Sequence, residues 1–319
     1  MSAEYCAFAK EEQAMANELN TRLVIGISSR ALFDLEKENE IYEREGAESY
    51  RHYQLQHERE LLKPGPGFAL VQALLGINGA DGRERVEVLL MSRNDAEASL
   101  RIFHSIEQYG LKISRAALSG GASLSPYLEA FRPDLFLSAT EEDAKSAAAL
   151  GIASGLVSPG GGSERAAGLE RGPVRIAFDG DAVLFTDESE RIYQTEGLFA
   201  FEENEKRKAS EPLNEGLFAG FLRKVAAIQE EFPSGQAPFR TALVTSRRAP
   251  AHERAIRTLL SWNVHMDEVF FLGGLSKREV LEAFGAHVFF DDRAEHTDGA
   301  GRSVCSVRVL YGNQAGDIR

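Results

Sequence analysis

The chain repeats itself, and this limits its fold more than any other feature. Three blocks of the second half can be laid in order on three blocks of the first. DGDAVLFTDESERIYQTEG from Asp179 lies on SSRALFDLEKENEIYEREG from Ser28. LVTSR ending at Arg247 lies on LLMSR ending at Arg93, and LGGLSKREVLEAFGAHVFFDD lies on LSGGASLSPYLEAFRPDLFLSA. The offsets are 151, 154 and 153 residues; Ala31 meets Ala182, Tyr42 meets Tyr193, and LEAF recurs at 128–131 and 281–284. Ordered blocks at a nearly constant offset mean one supersecondary unit built twice. Short apolar runs (LVIGI, VEVLLM and DLFL, then VRIAF, TALVT and HVFF) alternate with amphipathic stretches such as 95–109 and 250–262. Runs this short and β-branched suit buried strands of a mostly parallel sheet covered by helices. The expected fold is therefore α/β, with tandem duplicated Rossmann-like units at 1–153 and 174–319 and a Gly/Ser/Pro-rich linker over 154–173. A chain of 319 residues has room for two such cores.

Composition removes several classes of function. Lys and Arg number 36 against 49 Asp and Glu, a formal charge of −13 that disfavours nucleic acid as a partner. No stretch approaches the ~18 apolar residues of a membrane span. The opening MSAEYCAFAKEEQAMANEL carries charges where a signal peptide would be apolar. Cys6 and Cys305 make neither a disulfide framework nor a metal knuckle, which suits a reducing cytoplasm. Neither a Walker loop nor a Gly-x-Gly-x-x-Gly is present.

The residues able to do chemistry gather at strand ends of the second copy. VRIAF runs into Asp179-Gly180-Asp181, and open α/β sheets place ligands beyond the carboxyl ends of strands. TALVT ends at Thr245-Ser246, offering a hydroxyl and a backbone N–H. Ser276-Lys277-Arg278-Glu279 reads as a capping box, which puts Lys277 in a first helical turn. The helix dipole opposes a lysine there unless anions lie close. HVFF ends in Asp291-Asp292, whose mutual repulsion a divalent cation would relieve. An all-oxygen set from Asp179, Asp291 and Asp292 fits Mg²⁺. Taken singly, Asp-Gly-Asp and Asp-Asp are equally good turns.

In this order the residues resemble the four motifs of haloacid dehalogenase-like hydrolases. More closely, FDGDAVLFTDESE, LVTSR and VFFDD, with ISSRALFDLE and KPGPGFALVQALL upstream, resemble the cytosolic 5′-nucleotidase I family over roughly 21–311. Val183 stands where the motif usually has Thr. The resemblance implies a Mg²⁺-dependent phosphomonoesterase acting on nucleoside 5′-monophosphates. In it Asp179 attacks phosphorus, Asp181 serves as acid and then base, and Thr245, Ser246 and Lys277 hold the phosphate. Asp179, Asp291, Asp292 and the Asp181 carbonyl would hold the metal; which of Asp291 and Asp292 binds directly stays open, as does a homo-oligomer. Another small phosphate ester as substrate, or a nucleotide-binding regulator without turnover, are the alternatives.

The first copy has Ser28 and Arg30 in place of Asp179 and Asp181, Leu124 in place of Lys277, and Ser138-Ala139 in place of Asp291-Asp292. It is expected to be catalytically inert. A purely structural partner and an anion site built on Arg30, Gly120 and Gly121 are both open readings. Phe199, Phe201 and Phe218 read as core or as base-stacking residues, the scattered histidines as surface or packing residues, and EENEKRKASE from Glu202 as a solvated loop.

Overall fold

The computed structural model describes residues 21–79, 81–159, 172–300 and 304–310. The opening segment with Cys6 and most of the linker, 160–171, lie outside the described residues. Ten strands form one sheet: β1 (Leu23–Ile27), β2 (Val86–Ser92), β3 (Arg115–Leu118), β4 (Leu135–Ser138), β5 (Ala153–Val157), β6 (Val174–Phe178), β7 (Phe239–Thr245), β8 (Glu268–Phe271), β9 (Val288–Asp291) and β10 (Cys305–Val309). Their order is β3-β2-β1-β4-β5-β10-β9-β6-β7-β8, so the first five strands and the last five follow one plan. Pairing is parallel within each half and antiparallel only where β5 meets β10. The carboxyl ends of the two halves therefore face opposite edges of the sheet.

Alternation along the strands supplies two faces to cover. Leu23, Ile25 and Ile27 of β1 join Ile176, Phe178, Phe290 and Val307 in one core spanning both halves, under helices such as α3 (Phe68–Leu75) and α8 (Ala219–Glu230). The opposite face carries a separate cluster in each half. Leu124 and Leu128 at α5 (Ser125–Phe131) cover Val24, Leu89 and Phe136, while Leu281 and Phe284 of α10 (Arg278–Phe284) cover Ala177, Ala242 and Phe289. Among the described residues no helix is long and apolar enough to cross a membrane. Cys305 is buried and has no disulfide partner among the described residues, and burial pushes its thiol up to about 12.

Small details recur between the copies. Val24 N–H donates to the Asp134 carboxylate (2.7 Å) as Arg175 N–H donates to His287 Nδ1 (3.1 Å). Helices α2 (Glu36–Gln56) and α7 (Glu188–Arg207) both break at a glycine with positive φ, Gly46 (86°) and Gly197 (83°).

The structure corrects the sequence alignment at two points. Ile27 pairs with Leu90 and Phe178 with Leu243, so the middle block is offset by 153 and not 154. Ser92, not Met91, stands at the place of Thr245, and Asn94, not Arg93, at that of Arg247. The shared Ser-Arg pulled the alignment one residue off, whereas strand burial sets the register. In the first block, Ala31 corresponds to Val183 and not Ala182, since Gly67 N–H donates to Ala31 O as Phe218 N–H does to Val183 O. Ala182 is an extra residue, held at φ 59° in a π-type turn over Gly180–Leu184. The first copy instead makes the short α-helical turn α1 (Ser29–Leu32).

The linker begins later than expected, because 154–157 are strand β5. Gly155 reads as loop, yet a Cβ there would lie 2.5 Å from Val307 Cγ1 and 2.8 Å from Arg308 O. A glycine is needed where the two half-sheets meet this closely. Strands β3, β5, β8 and β10 were not foreseen, being half-exposed at the outer edges or interrupted by Gly, Ser and Arg at the junction.

Candidate active site

Asp179 follows β6 directly, and its N–H donates to Phe290 O of the neighbouring β9 (2.8 Å). That bond sets Asp179 beside Asp291, the last residue of β9. Lys277, immediately before α10, brings Nζ to 2.9 Å from Asp179 Oδ1 and 2.6 Å from Asp291 Oδ2. Lysine and both carboxylates are buried. Burial by itself lowers Lys277, but the charges of Asp179 and Asp291 more than offset it and hold the ammonium above its usual value. Asp291 also pays desolvation and still ends below the ordinary carboxylate range. His296 Nδ1 lies 3.0 Å from one of its oxygens and 3.1 Å from the other, Lys277 adds its charge, and Arg293 N–H donates to Oδ1 (2.9 Å).

The other two acids are left with excess negative charge. Asp179 is pushed up to about 6, chiefly by burial, with Lys277 opposing and Asp291 adding to the shift. Asp292 is pushed up to about 7 by burial and then by the charges of Asp179 and Asp291. One oxygen from each of Asp179, Asp291 and Asp292 lies within 4.8 Å of the others. Three carboxylates against one lysine, all oxygen donors, suit a small hard cation such as Mg²⁺.

The Asp181 carboxylate points elsewhere. Arg247, two residues past β7, grips it with both arms of its fork: Nη2 to Oδ1 at 2.7 Å and Nε to Oδ2 at 2.8 Å. Nη1 of the same guanidinium donates to Glu205. The rings of Phe201 (5.5 Å) and Phe185 (5.9 Å) flank it. Thr245 Oγ1 lies against the Asp179–Asp181 loop, 3.4 Å from where a Cβ of Gly180 would be, and accepts from Arg247 N–H (3.3 Å). Ser246 is exposed on the loop after β7.

Three readings from the sequence change here. Glu205, read within a solvated loop, is a fully buried residue of α7 that accepts from Arg247, Arg254 Nη1 (2.9 Å) and Ser189 Oγ (2.9 Å). Two guanidiniums compensate a charge that local composition alone would expose. His296, read among surface or packing residues, is a partner of Asp291. Of the three phenylalanines, Phe218 and Phe201 are buried and Phe199 is 79% exposed. Arg247 was visible only as the last letter of LVTSR; its pairing with an acid 66 residues away has no local signature.

Removing Glu205 should leave Arg247 and Arg254 facing each other without their shared carboxylate. Glu205→Leu is expected to cost about 3–5 kcal/mol. Urea unfolding followed by circular dichroism would show it, and an unchanged midpoint would mean the network carries no stability.

Comparison with known proteins agrees with this geometry. The profile of the 5′-nucleotidase family matches residues 15–316. The human protein named cytosolic 5′-nucleotidase 1B is 37% identical over 291 residues, covering 88% of this chain and 47% of that protein. The chain thus spans about half the length of that relative. No solved structure gives a significant match. With the profile running through both copies and every acid of the cluster, the chain belongs to the 5′-nucleotidase family.

Proposed function

We propose that the protein is a Mg²⁺-dependent phosphomonoesterase of the cytoplasm that hydrolyses nucleoside 5′-monophosphates through an aspartyl-phosphate. The observation carrying this reading is the buried Lys277 bridging Asp179 and Asp291 at adjacent strand ends, with Asp292 beside them. The catalytic unit is 174–319; the unit at 1–153 lacks every acid of the cluster and does not hydrolyse.

Asp179, Asp291 and Asp292 would hold the Mg²⁺, which when bound would neutralise charge on the phosphate. The chain's own groups carry the reaction. An oxygen of Asp179 attacks phosphorus, the P–O5′ bond breaks, and Asp181 gives a proton to the departing oxygen. Water then attacks the aspartyl-phosphate, Asp181 takes its proton, and Asp179 is released with free phosphate. Thr245, Ser246 and Lys277 bind the phosphoryl oxygens. Both oxygens of Asp181 accept from Arg247, so the proton that it donates sits on a lone pair the guanidinium does not occupy.

Phosphate release from a panel of nucleoside monophosphates and sugar phosphates tests the substrate class. Release from sugar phosphates alone would replace the nucleotide reading. The metal reading predicts a pH effect. Asp179 and Asp292 titrate above the unfolded value of 3.8, so the metal-free fold gains protons on folding and loses stability as pH rises from about 4 to about 7. Mg²⁺ must displace those protons, so its affinity should tighten by about tenfold per pH unit for each proton displaced, levelling above about 7. Thermal shift at fixed Mg²⁺ from pH 5 to 8 reads this directly; a shift that shrinks with rising pH would contradict the site.

A further inference from the structure

The N-terminal copy keeps an open cleft where the C-terminal copy has its acids. A cavity of about 360 Å³ lies at the carboxyl ends of β1 and β2, on the sheet edge opposite Asp179; Ser28, Arg30, Tyr42, Ser92 and Gly121 are among its walls. Comparing the copies position by position separates two groups of residues.

One group persists. Ser92 supplies a hydroxyl at the place of Thr245, and Asn94 N–H donates to it (3.2 Å) as Arg247 N–H does to Thr245 (3.3 Å). Gly120-Gly121 stands at the place of Gly273-Gly274, all four with positive φ. Tyr42, 51% exposed, meets Tyr50 edge to face at 6.0 Å and 88°; Tyr193, 45% exposed, meets Phe201 at 6.2 Å and 82°. These are groups that hold a ligand: a hydroxyl, an open backbone turn, and an aromatic ring at the rim.

The other group is gone. Where the C-terminal copy has Asp179, Asp181, Lys277, Asp291 and Asp292, the N-terminal copy has Ser28, Arg30, Leu124, Ser138 and Ala139. Four carboxylates and an ammonium become a single guanidinium. The wall as a whole sets Arg30, Arg51 and Arg93 against Glu43, Asp95 and Asp143, so a phosphate meets no excess of carboxylate there. Arg30 uses Nη2 on Glu36 (3.1 Å), but its buried Nε has no acceptor among the described residues. Of the other two arginines of the wall, Arg51 pairs with Asp95 (2.8 Å) and Arg93 Nε donates to Asp143 (2.8 Å), while the buried Nη2 of Arg93 also lacks a hydrogen bond among the described residues. A buried donor without an acceptor costs about 1–3 kcal/mol, which a ligand oxygen would recover.

We propose that this cleft is a second, metal-independent and non-hydrolysing binding site for a nucleoside 5′-phosphate. The phosphate lies at Arg30 and Ser92, and the base lies against Tyr42. The nucleoside part rests on the nucleotidase reading of the C-terminal copy; the preference for an oxyanion without metal does not.

Equilibrium dialysis of the full chain in excess EDTA tests it, with adenosine, guanosine, cytidine and uridine 5′-monophosphates and with inorganic phosphate as probes. At least one nucleotide should bind at one equivalent per chain and stay intact. Arg30→Glu and, independently, Tyr42→Ala on the exposed rim should each weaken it by about tenfold or more. Melting curves verify that the variants are folded, and if Arg30→Glu is not, Tyr42→Ala carries the test. No binding in EDTA, or binding that neither substitution weakens, overturns the site. Mg²⁺-dependent phosphate release is assayed in parallel. Arg30-dependent binding in EDTA without any release would remove the nucleotidase reading and leave this site standing. Release without binding in EDTA would do the reverse.

Discussion

Asp179→Asn should fold and bind substrate but release essentially no phosphate. The amide keeps the shape of the side chain and its place after β6, while removing the carboxylate that would attack phosphorus. Loss of a covalent nucleophile costs on the order of 10⁴-fold or more in kcat. The fold should tolerate the change. Burial and neighbouring carboxylates already push Asp179 up to about 6, so its charge is disfavoured in the metal-free protein, and Asp291 still pairs Lys277. Steady-state phosphate release and thermal melting, read together, decide the point. Near-parental turnover would remove Asp179 from the reaction, whereas lost turnover with a collapsed melting point would make its role structural.

The second large effect concerns Arg247. Its fork fixes both oxygens of Asp181, and a lysine can keep the charge but not the planar two-point grip. Arg247→Lys should therefore lower kcat on nucleoside monophosphates by about 10²-fold, the usual contribution of a positioned general acid. The discriminating measurement uses p-nitrophenyl phosphate, whose phenolate leaves without needing a proton. On that substrate the initial burst of phenolate, which reports formation of the aspartyl-phosphate, should lose less than about threefold because that step needs no acid, while steady-state turnover stays slowed because Asp181 is also the base for hydrolysis. Equal losses of that first step on both substrates would mean that Arg247 acts through the fold as a whole, since a merely destabilised enzyme does not distinguish leaving groups.

How far the sequence carries can be followed residue by residue. Asp179, Asp291 and Asp292 were legible because each follows or ends a short apolar run, and in an open α/β sheet such ends share one edge; Lys277 was legible because Ser276-Lys277-Arg278-Glu279 marks a helix start. Their convergence then needed only the right strand order, and β6 and β9 are neighbours. His296 was not legible, because a helical turn brings it back on Asp291 and nothing local distinguishes it from a surface histidine. Glu205 was misread for a related reason: its neighbours along the chain are charged and solvated, while its neighbours in space are two buried guanidiniums.

By itself the sequence determined the duplicated α/β plan, the strands that are apolar throughout, and the order of the acidic motifs. All three follow from the local alternation of residues that must be buried with residues that need not be, and that alternation is written along the chain. Only the tertiary structure decided the register of the middle block, the strand hidden in Ser154–Val157 and the capture of Asp181 by Arg247. Each of these depends on the distance between groups far apart in sequence, and packing against a neighbouring strand sets that distance. Gly155 shows the reason most plainly, since the approach of Val307 and Arg308 and not any turn propensity requires a glycine there.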